Sequence, residues 1–298
     1  MTEFQLGALA AITMLAALVN GALGYGFSSI TVPLALLFLS NRLLNPALIP
    51  IEVALNAYML WNNRDAVGGS WRRVLPIVVG LAPGVAIGTA VVSRVDPAQL
   101  RFYTFIVLLP LILLQAAGLR RPIKAERAVG FGFGGGLGIL YAVTTISGPP
   151  LAIMLNNQGF AKKEFRAALA VVRLAESLLT AVAYAYAGLY SVSSLRLIPW
   201  IIPSIAIGVP VGAALIRRLD AETFRRVCMS FDAWIVAFGV SRLLQELGWV
   251  RTSAAYVVLV VVALVDAWLL ARFFSKARLV GAATTAPDRA KLVCLDER

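Results

Sequence analysis

Arg173 is the one basic residue that falls inside a long apolar stretch of this sequence, near the middle of the segment 163–189. A charge at such a depth in a membrane costs on the order of 3 kcal/mol or more, so it is usually kept for function or for pairing. Glu176 follows three positions later, close to the same face of a helix. Two interpretations of Arg173 follow: a contact for an anion, or one member of a structural pair with Glu176.

Two carboxyl groups stand at matching places in the two halves of the chain. Glu52 is followed one helical turn later by Asn56, and Glu176 is followed in the same way by Thr180. Carboxyl groups at membrane depth are typical of proton relays, so Glu52, Asn56 and Glu176 are predicted to serve proton coupling or gating. In the alternative interpretation, each glutamate caps or bridges the interrupted segment beside it.

Hydroxyl groups cluster at two interruptions in the long apolar stretches 4–40 and 128–156. GALGYG at 21–26 interrupts the first stretch, and GFGGGLG at 132–138 followed by SGPP at 147–150 interrupts the second. Half-helices that restart after such breaks point their N-terminal amides at a shared cavity and favour an anion. The predicted substrate contacts are Ser28, Ser29, Thr31, Thr144, Thr145, Ser147, Gly148 and Arg173. In the alternative, the glycines only allow close packing and the hydroxyls bond back to the preceding turn.

Several kinds of site are excluded by the residues themselves. The sequence contains no histidine, which rules out imidazole catalysis and histidine metal ligation, and Cys228 and Cys294 have no metal-ligand spacing. GFGGGLG lacks the strand context of a dinucleotide site, and no ATP-binding phosphate loop occurs. No metal or cofactor is therefore predicted. Any transport by this chain is expected to draw its energy from a gradient and not from ATP. Asp232 and Asp266 are interpreted as contacts between helices.

The elements that must position these groups are membrane helices. Of the 298 residues, 60% are hydrophobic and 14% are charged, with mean hydropathy +0.83. Apolar segments long enough to cross a bilayer recur along the chain. Helical spans are predicted at 47–62, 74–93, 98–117, 167–189, 197–216, 223–241 and 252–271. The net charge of +12 is spread over short loops, so the expected partners are the lipid bilayer and a small anionic solute, not nucleic acid.

An internal repeat covers residues 4–245. Gly84, Gly88, Arg94, Asp96 and Arg101 recur with identical spacing as Gly208, Gly212, Arg218, Asp220 and Arg225. The predicted organisation is a first repeat at 1–120, a second at 121–246, an extra transmembrane helix at 247–274 and a disordered cytoplasmic tail at 275–298.

The loop charges predict how the repeats cross the membrane. If each interrupted segment re-enters on its own side, 20 Lys and Arg residues lie in the cytoplasm and 6 lie outside. The predicted fold is therefore all-α and membrane-embedded, with two inverted repeats. Each repeat has a re-entrant broken-helix hairpin and three transmembrane helices, and an extra C-terminal helix follows. The protein is expected in the inner membrane, multi-pass, with its N-terminus outside and its C-terminus in the cytoplasm.

The chain resembles the sulfite exporter TauE/SafE family of bacterial permeases. The resemblance lies in GALGYGFSSITVPLALL at 21–37, in GGLGILYAVTTISGPPLAIMLNNQGFAKKEFRAALA at 135–170, and in the Pro-x7-Gly-x3-Gly spacing from Pro76 to Gly88. It implies a polytopic transporter of small sulfur-containing or organic anions such as sulfite or sulfonates. The chain departs from the family pattern at 141–145, where more glycine is expected.

The residues leave two other functions open. One is an ion-coupled carrier or channel for a different small solute. The other is a membrane-embedded enzyme, in which a hydrolase would need a base beside Ser147, and only Glu52 or Glu176 could serve. The absence of histidine and of a metal-ligand cluster weighs against an enzyme, so none is predicted.

Overall fold

The computed structural model is built from helices and describes residues 2–23, 26–116, 126–157, 160, 162–215, 221–250 and 252–285. Its helices are α1 Glu3–Leu23, α2 Phe27–Ala35, α3 Asn41–Asn62, α4 Val67–Arg94, α5 Pro97–Ala116, α6 Glu126–Thr144, α7 Gly148–Asn157, α8 Lys162–Tyr186, α9 Val192–Leu195, α10 Ile198–Leu215, α11 Ala221–Glu246 and α12 Val257–Thr285. No strand occurs in these described ranges.

The predicted all-α membrane architecture is confirmed. Seven helical segments among the described residues are long and apolar enough to cross a bilayer, and they comprise α1, α3, α4, α8, α10, α11 and α12. Each of the seven spans predicted from the sequence forms a helix, with α5 among the shorter apolar ones. The helix α12 continues to Thr285, and the rest of the predicted tail, 286–298, lies outside the described residues. Arg218 and Asp220 of the repeat lie outside them as well.

Each half of the chain begins with a long helix followed by a short one. Gly26 precedes α2 with φ 105°, a left-handed conformation that glycine adopts without a steric penalty. In the second half the interruption lies at 145–147, where Thr145 has φ 56°. The glycines at 132–138 do not break the chain, contrary to the expectation, because they lie inside α6 and bring it against α4.

Glycine contacts join the two halves. Helix α1 packs along α10, and α6 packs along α4. A Cβ atom at Gly84 would overlap the backbone carbonyl of Gly135, and one at Gly212 would overlap that of Leu18. The first helix of each half therefore lies backbone to backbone against a helix of the other half, as small residues allow in membranes.

Among the described residues, buried apolar side chains form three clusters, of which two are large. The larger contains side chains of α1, α2, α3, α5, α10 and α11, with Phe27 and Phe105 fully buried. The smaller lies between α4, α6, α7 and α8 and includes Ile77 and Leu151. Helix α8 also packs against α3. Helices α3 and α8 therefore lie next to each other at the centre, where both carry polar side chains.

The extra helix α12 is joined to α11 through charged groups. Arg226 Nη2 donates to Asp266 Oδ1 at 2.8 Å, and Ser230 Oγ donates to the same oxygen at 3.2 Å. The predicted role of Asp266 as a contact between helices is confirmed. Asp232 lies buried on α11, and its predicted contact stays a prediction.

Replacing Gly84 tests the contact between α4 and α6. Gly84→Ala should lower the free energy of unfolding by about 1–3 kcal/mol, because the methyl group overlaps a backbone that cannot yield without separating the helices. Gly132→Ala on α6 is the control, since its Cβ meets nothing within 4 Å. Thermal unfolding of both variants in the same detergent measures the difference, and equal Tm values would contradict the packing.

Removing Asp266 tests how α12 is held. Asp266→Ala leaves the buried Arg226 guanidinium without its partner and should cost about 3–5 kcal/mol. The double variant Arg226→Met, Asp266→Leu should recover most of that loss, because no unpaired charge remains. Tm values of the wild-type, single and double variants provide the comparison. A double variant less stable than Asp266→Ala would show that the ion pair itself holds the helix.

Candidate functional site

The same contact forms at both chain interruptions. Ser28, in the first turn of α2, donates its hydroxyl to Glu52 Oε1 at 2.5 Å. Ser147, directly before α7, donates to Glu176 Oε2 at 2.5 Å. Helices α3 and α8 carry the two carboxylates, which are fully buried. Each glutamate thus bridges to the interrupted segment of its own half, as one of the two interpretations of these residues requires.

Arg173 makes an ion pair across the two halves. Its Nη2 donates to Glu52 Oε2 at 2.7 Å, and both side chains are almost completely buried. Its partner is therefore Glu52 and not the neighbouring Glu176, whose carboxylate accepts from Ser147 instead. The pair predicted from the sequence spacing is not formed, because the guanidinium extends across to α3 rather than along its own helix.

Asn56 connects α3 to the backbone of α8. Its amide nitrogen lies 3.3 Å from Glu52 Oε2 and 3.3 Å from the carbonyl oxygen of Arg173. The hydroxyl of Ser177 lies 3.5 Å from the same nitrogen and donates to the Arg173 carbonyl at 2.9 Å. Asn56 thus orients the carboxylate that holds Arg173.

The two serine contacts lie in two polar groups that meet α8 one turn apart. Hydrogen bonds join Ser28 to Glu52 and Glu52 to Arg173, and one turn further along α8 Glu176 is joined to Ser147. Arg173 and Glu176 form no ion pair, so these are two neighbouring groups, which together are called the polar path. The first turn of α2 and the start of α7 therefore lie at opposite ends of a short polar path across the centre of the molecule.

Several buried polar atoms along this path have no hydrogen-bond partner. They are Glu176 Oε1, Arg173 Nε, Thr31 Oγ1, Thr180 Oγ1 and the hydroxyl of Tyr141. Tyr141 on α6 is fully buried and within electrostatic range of Glu52, Glu176 and Arg173. Donor and acceptor groups left open in a low-dielectric interior are costly, so a ligand or water that binds them is favoured.

The remaining predicted contacts divide into two groups. Thr144 donates to the Leu140 carbonyl at 2.7 Å and accepts from the Ile146 amide at 3.0 Å, while Thr145 donates to the Thr144 carbonyl at 2.7 Å. These two hydroxyls shape the interruption itself. Ser29 is half-buried at the start of α2, and Gly148 is buried as the first residue of α7.

Three polar side chains that the sequence analysis missed hold the end of α6. Asn45 donates to the Val143 carbonyl at 2.7 Å, and Asn41 donates to the same oxygen at 3.3 Å. Tyr184 donates to the Ala142 carbonyl at 2.5 Å. In the sequence, the two side-chain amides of Asn41 and Asn45, one helical turn apart at the start of an apolar span, could have indicated this contact.

A small cleft leads from the surface to Arg173. Its volume is about 40 Å³, and its walls are Met59, Phe165, Arg166, Leu169 and Ala170, with the buried Asn56 and Arg173 at the far end. Arg166 is exposed, two turns before Arg173 on the same helix. That volume holds about one or two water molecules. Only a small solute could reach the guanidinium along this path without a conformational change.

The polar path consists of hydrogen-bonded and ion-paired side chains. Within the described parts of the chain, no group of three or more cysteine, aspartate or glutamate side chains is placed to hold a metal ion. The polar path instead combines one guanidinium, two carboxylates and hydroxyl groups at the starts of two short helices.

Comparison with known proteins identifies a family. Neither the curated proteins nor the solved structures contain a match to the chain. Residues 9–238, which include both interruptions and the polar path between them, match the family described as sulfite exporter TauE/SafE. With its membrane-spanning helices and a match over more than half of its length, the chain belongs to the sulfite exporter TauE/SafE family of membrane transporters.

Proposed function

We propose that this protein carries a small sulfur-containing anion, such as sulfite or a small sulfonate, across the inner membrane and draws its energy from a gradient. The observation that carries the proposal is the buried guanidinium of Arg173 at the end of the cleft. It lies on a polar path between the starts of two short helices. The family supports the same class of substrate.

The N-terminal ends of α2 and α7 favour the binding of a negative charge. Each N-terminal turn has backbone amides without a partner in its own helix, and the helix dipole adds a partial positive charge there. Ser28 and Ser147 lie at these ends, so their hydroxyls are the proposed first contacts for oxyanion oxygens. The open hydroxyl of Thr31 lies one turn along α2. Ser29, Thr144, Thr145 and Gly148 shape or line the same region.

The charge balance of the site supports coupling to protons. Glu52 is ion-paired with Arg173, whose guanidinium supplies the positive charge of this set. An anion added beside the pair leaves an excess negative charge unless a carboxylate is neutralised. Proton binding at Glu52 or Glu176 supplies that neutralisation, and Asn56 is the proposed gating contact because it joins Glu52 to α8.

The helix contacts support two inverted repeats. Helix α1 of the first half corresponds to α6 of the second, and α4 corresponds to α10. The contact between α1 and α10 therefore has the contact between α6 and α4 as its counterpart, and both contacts are present. The contacts of the central helices α3 and α8, which correspond to each other, are different. Helix α8 packs along α4, whereas an apolar groove of about 680 Å³ separates α3 from α10, the counterpart of α4. Two halves in different conformations are what an alternating-access carrier requires. The proposed topology has the N-terminus outside and the C-terminus in the cytoplasm.

One contact also meets the requirement of the hydrolase alternative. Glu176 lies at hydrogen-bond distance from Ser147, where a general base would have to be. The same contact recurs between Ser28 and Glu52, however. A repeated pair that bridges each interruption to its neighbouring helix explains both contacts, so we favour the transporter.

Replacing Arg173 tests the site directly. Arg173→Lys should lower the uptake of labelled sulfite, thiosulfate or small sulfonates into proteoliposomes by about tenfold or more, because lysine keeps the charge but loses the planar donor pair. Ser147→Ala should also slow uptake. The matched controls are Arg226→Lys and Ser204→Ala, buried residues of the same types with partners elsewhere. Undiminished uptake by both site variants would remove the proposed site, and no uptake by the wild-type protein would remove the function.

Single cysteines test the topology. In a background with Cys228 and Cys294 replaced by serine, the exposed residues Asp65 and Gln99 are changed to cysteine one at a time. A membrane-impermeant maleimide added to intact spheroplasts should label Gln99→Cys and leave Asp65→Cys unlabelled until the membrane is opened. The reverse pattern would contradict the proposed orientation, and labelling of both in intact spheroplasts would contradict a single crossing by α4.

A further inference from the structure

We propose that Glu52 occupies, in the empty carrier, the place on Arg173 that the substrate anion takes, so that one proton binds to Glu52 with each anion. This inference rests on the proposed anion transport and adds its coupling. In the structure, Glu52 Oε2 already lies 2.7 Å from Arg173 Nη2. A carboxylate and a small sulfur oxyanion present similar oxygens to a guanidinium, so the two compete for the same donors.

Among the described residues that contact Glu52, the cation is Arg173. The repeat aligns Glu52 with Glu176 and therefore aligns Arg173 with Ile49, a fully buried apolar residue of α3. Both carboxyl groups accept from a serine, but Arg173 contacts the second oxygen of Glu52, whereas the second oxygen of Glu176 has no hydrogen-bond partner. An anion gains the Nη2 contact of Arg173 when Glu52 releases it.

The groups around Glu52 favour release by protonation. Arg173 and Glu176 face it from α8 and Tyr141 from α6, while α2 contributes the hydroxyl of Ser28. Helix α10 presents apolar side chains to α3, among them Ile202 and Ile205. With the anion on Arg173 and Glu52 still ionised, at least two negative charges would face one positive charge in a medium of low dielectric constant. A proton on Glu52 removes one of these negative charges.

The neutral carboxyl group would still be held in place. Ser28 Oγ now donates to Glu52 Oε1 at 2.5 Å, and a hydroxyl can accept as well as donate. A proton on Oε1 can therefore be donated to Ser28 Oγ, whose own hydrogen rotates away. Asn56 continues to donate to Oε2. Glu52 thus loses only its contact with Arg173, and the proton leaves when the anion leaves.

Binding of radiolabelled thiosulfate, which stays fully ionised across the range used, provides the test. Wild-type affinity should fall with rising pH by up to about tenfold per pH unit where Glu52 of the empty protein is ionised, because one proton is taken up with the anion. Glu52→Gln should bind thiosulfate with little dependence on pH. It should exchange anion for anion across a vesicle membrane but lose accumulation driven by a proton gradient.

Two further variants separate this proposal from its alternatives. Glu176→Gln should keep the pH dependence of binding, because its carboxylate does not contact Arg173. Glu246→Gln, in the partly exposed ion pairs with Arg101 and Arg242, is the matched control and should resemble the wild-type protein. Wild-type pH dependence in Glu52→Gln would overturn the proposal. So would loss of the dependence in Glu176→Gln alone.

A measurement on the unaltered protein avoids any effect of substitution on folding. Adding thiosulfate to the wild-type protein in weakly buffered solution, at a pH where Glu52 is ionised, should take up about one proton per bound anion. Binding without proton uptake would overturn the coupling while leaving the anion site intact. No binding of thiosulfate, sulfite or a sulfonate by the wild-type protein would instead remove the proposed function itself.

Discussion

Backbone amides and carbonyls exposed where a helix stops inside a bilayer have no water to bind, and each unsatisfied group costs several kcal/mol. In this protein the helices are interrupted at two places, before α2 and before α7. At the second, Asn41, Asn45 and Tyr184 donate to the last carbonyls of α6. These three side chains of α3 and α8 thus satisfy carbonyl groups that the end of α6 leaves without helical partners.

Placing these side chains at the centre requires α3 and α8 to lie next to each other, with the broken segments on either side. Glycine makes this possible. The contacts of Gly84 with Gly135 and of Gly212 with Leu18 bring helices of different halves to backbone contact. The halves are thereby interleaved, and both interruptions are brought to the same central pair of helices. The cleft to Arg173 runs along a face of that pair.

The central charges are unequal although the surrounding contacts are repeated. Both halves have a serine at the break and a glutamate on the following long helix, but the arginine one turn before that glutamate occurs on α8 and not on α3, where Ile49 takes its place. The two halves therefore differ in charge at the centre, although their other contacts are repeated. We relate this difference to the proposed transport. A single guanidinium can exchange its carboxylate partner for a substrate anion, whereas two equivalent ion pairs would leave no guanidinium free for the anion.

The sequence by itself determined the helical membrane character, six of the seven candidate spans and the polar residues at the centre. The seventh candidate, α1, was expected as part of a re-entrant hairpin, whereas the predicted span 98–117 forms the shorter α5. Long apolar segments leave lipid as the only solvent, and a charge such as Arg173 inside one of them stands out without any knowledge of folding. The repeated positions of Glu52 and Glu176 were also evident from spacing, and so was their place beside the interruptions.

Only the tertiary structure decided which groups meet. Spacing along α8 favoured a pair between Arg173 and Glu176, yet the arginine lies on Glu52, because the close approach of α3 offers a carboxylate at a better distance than its own helix does. The interruption was predicted from the glycines at 132–138 together with the segment 147–150. The glycines instead pack inside α6 against α4, and the interruption falls at 145–147, where the second segment begins. Tyr141 lies near the charged groups because α6 packs against the other helices at the centre, a contact that local sequence does not reveal. Local sequence records which side chains are polar or small, whereas the neighbour that each one meets depends on helices far apart in the chain.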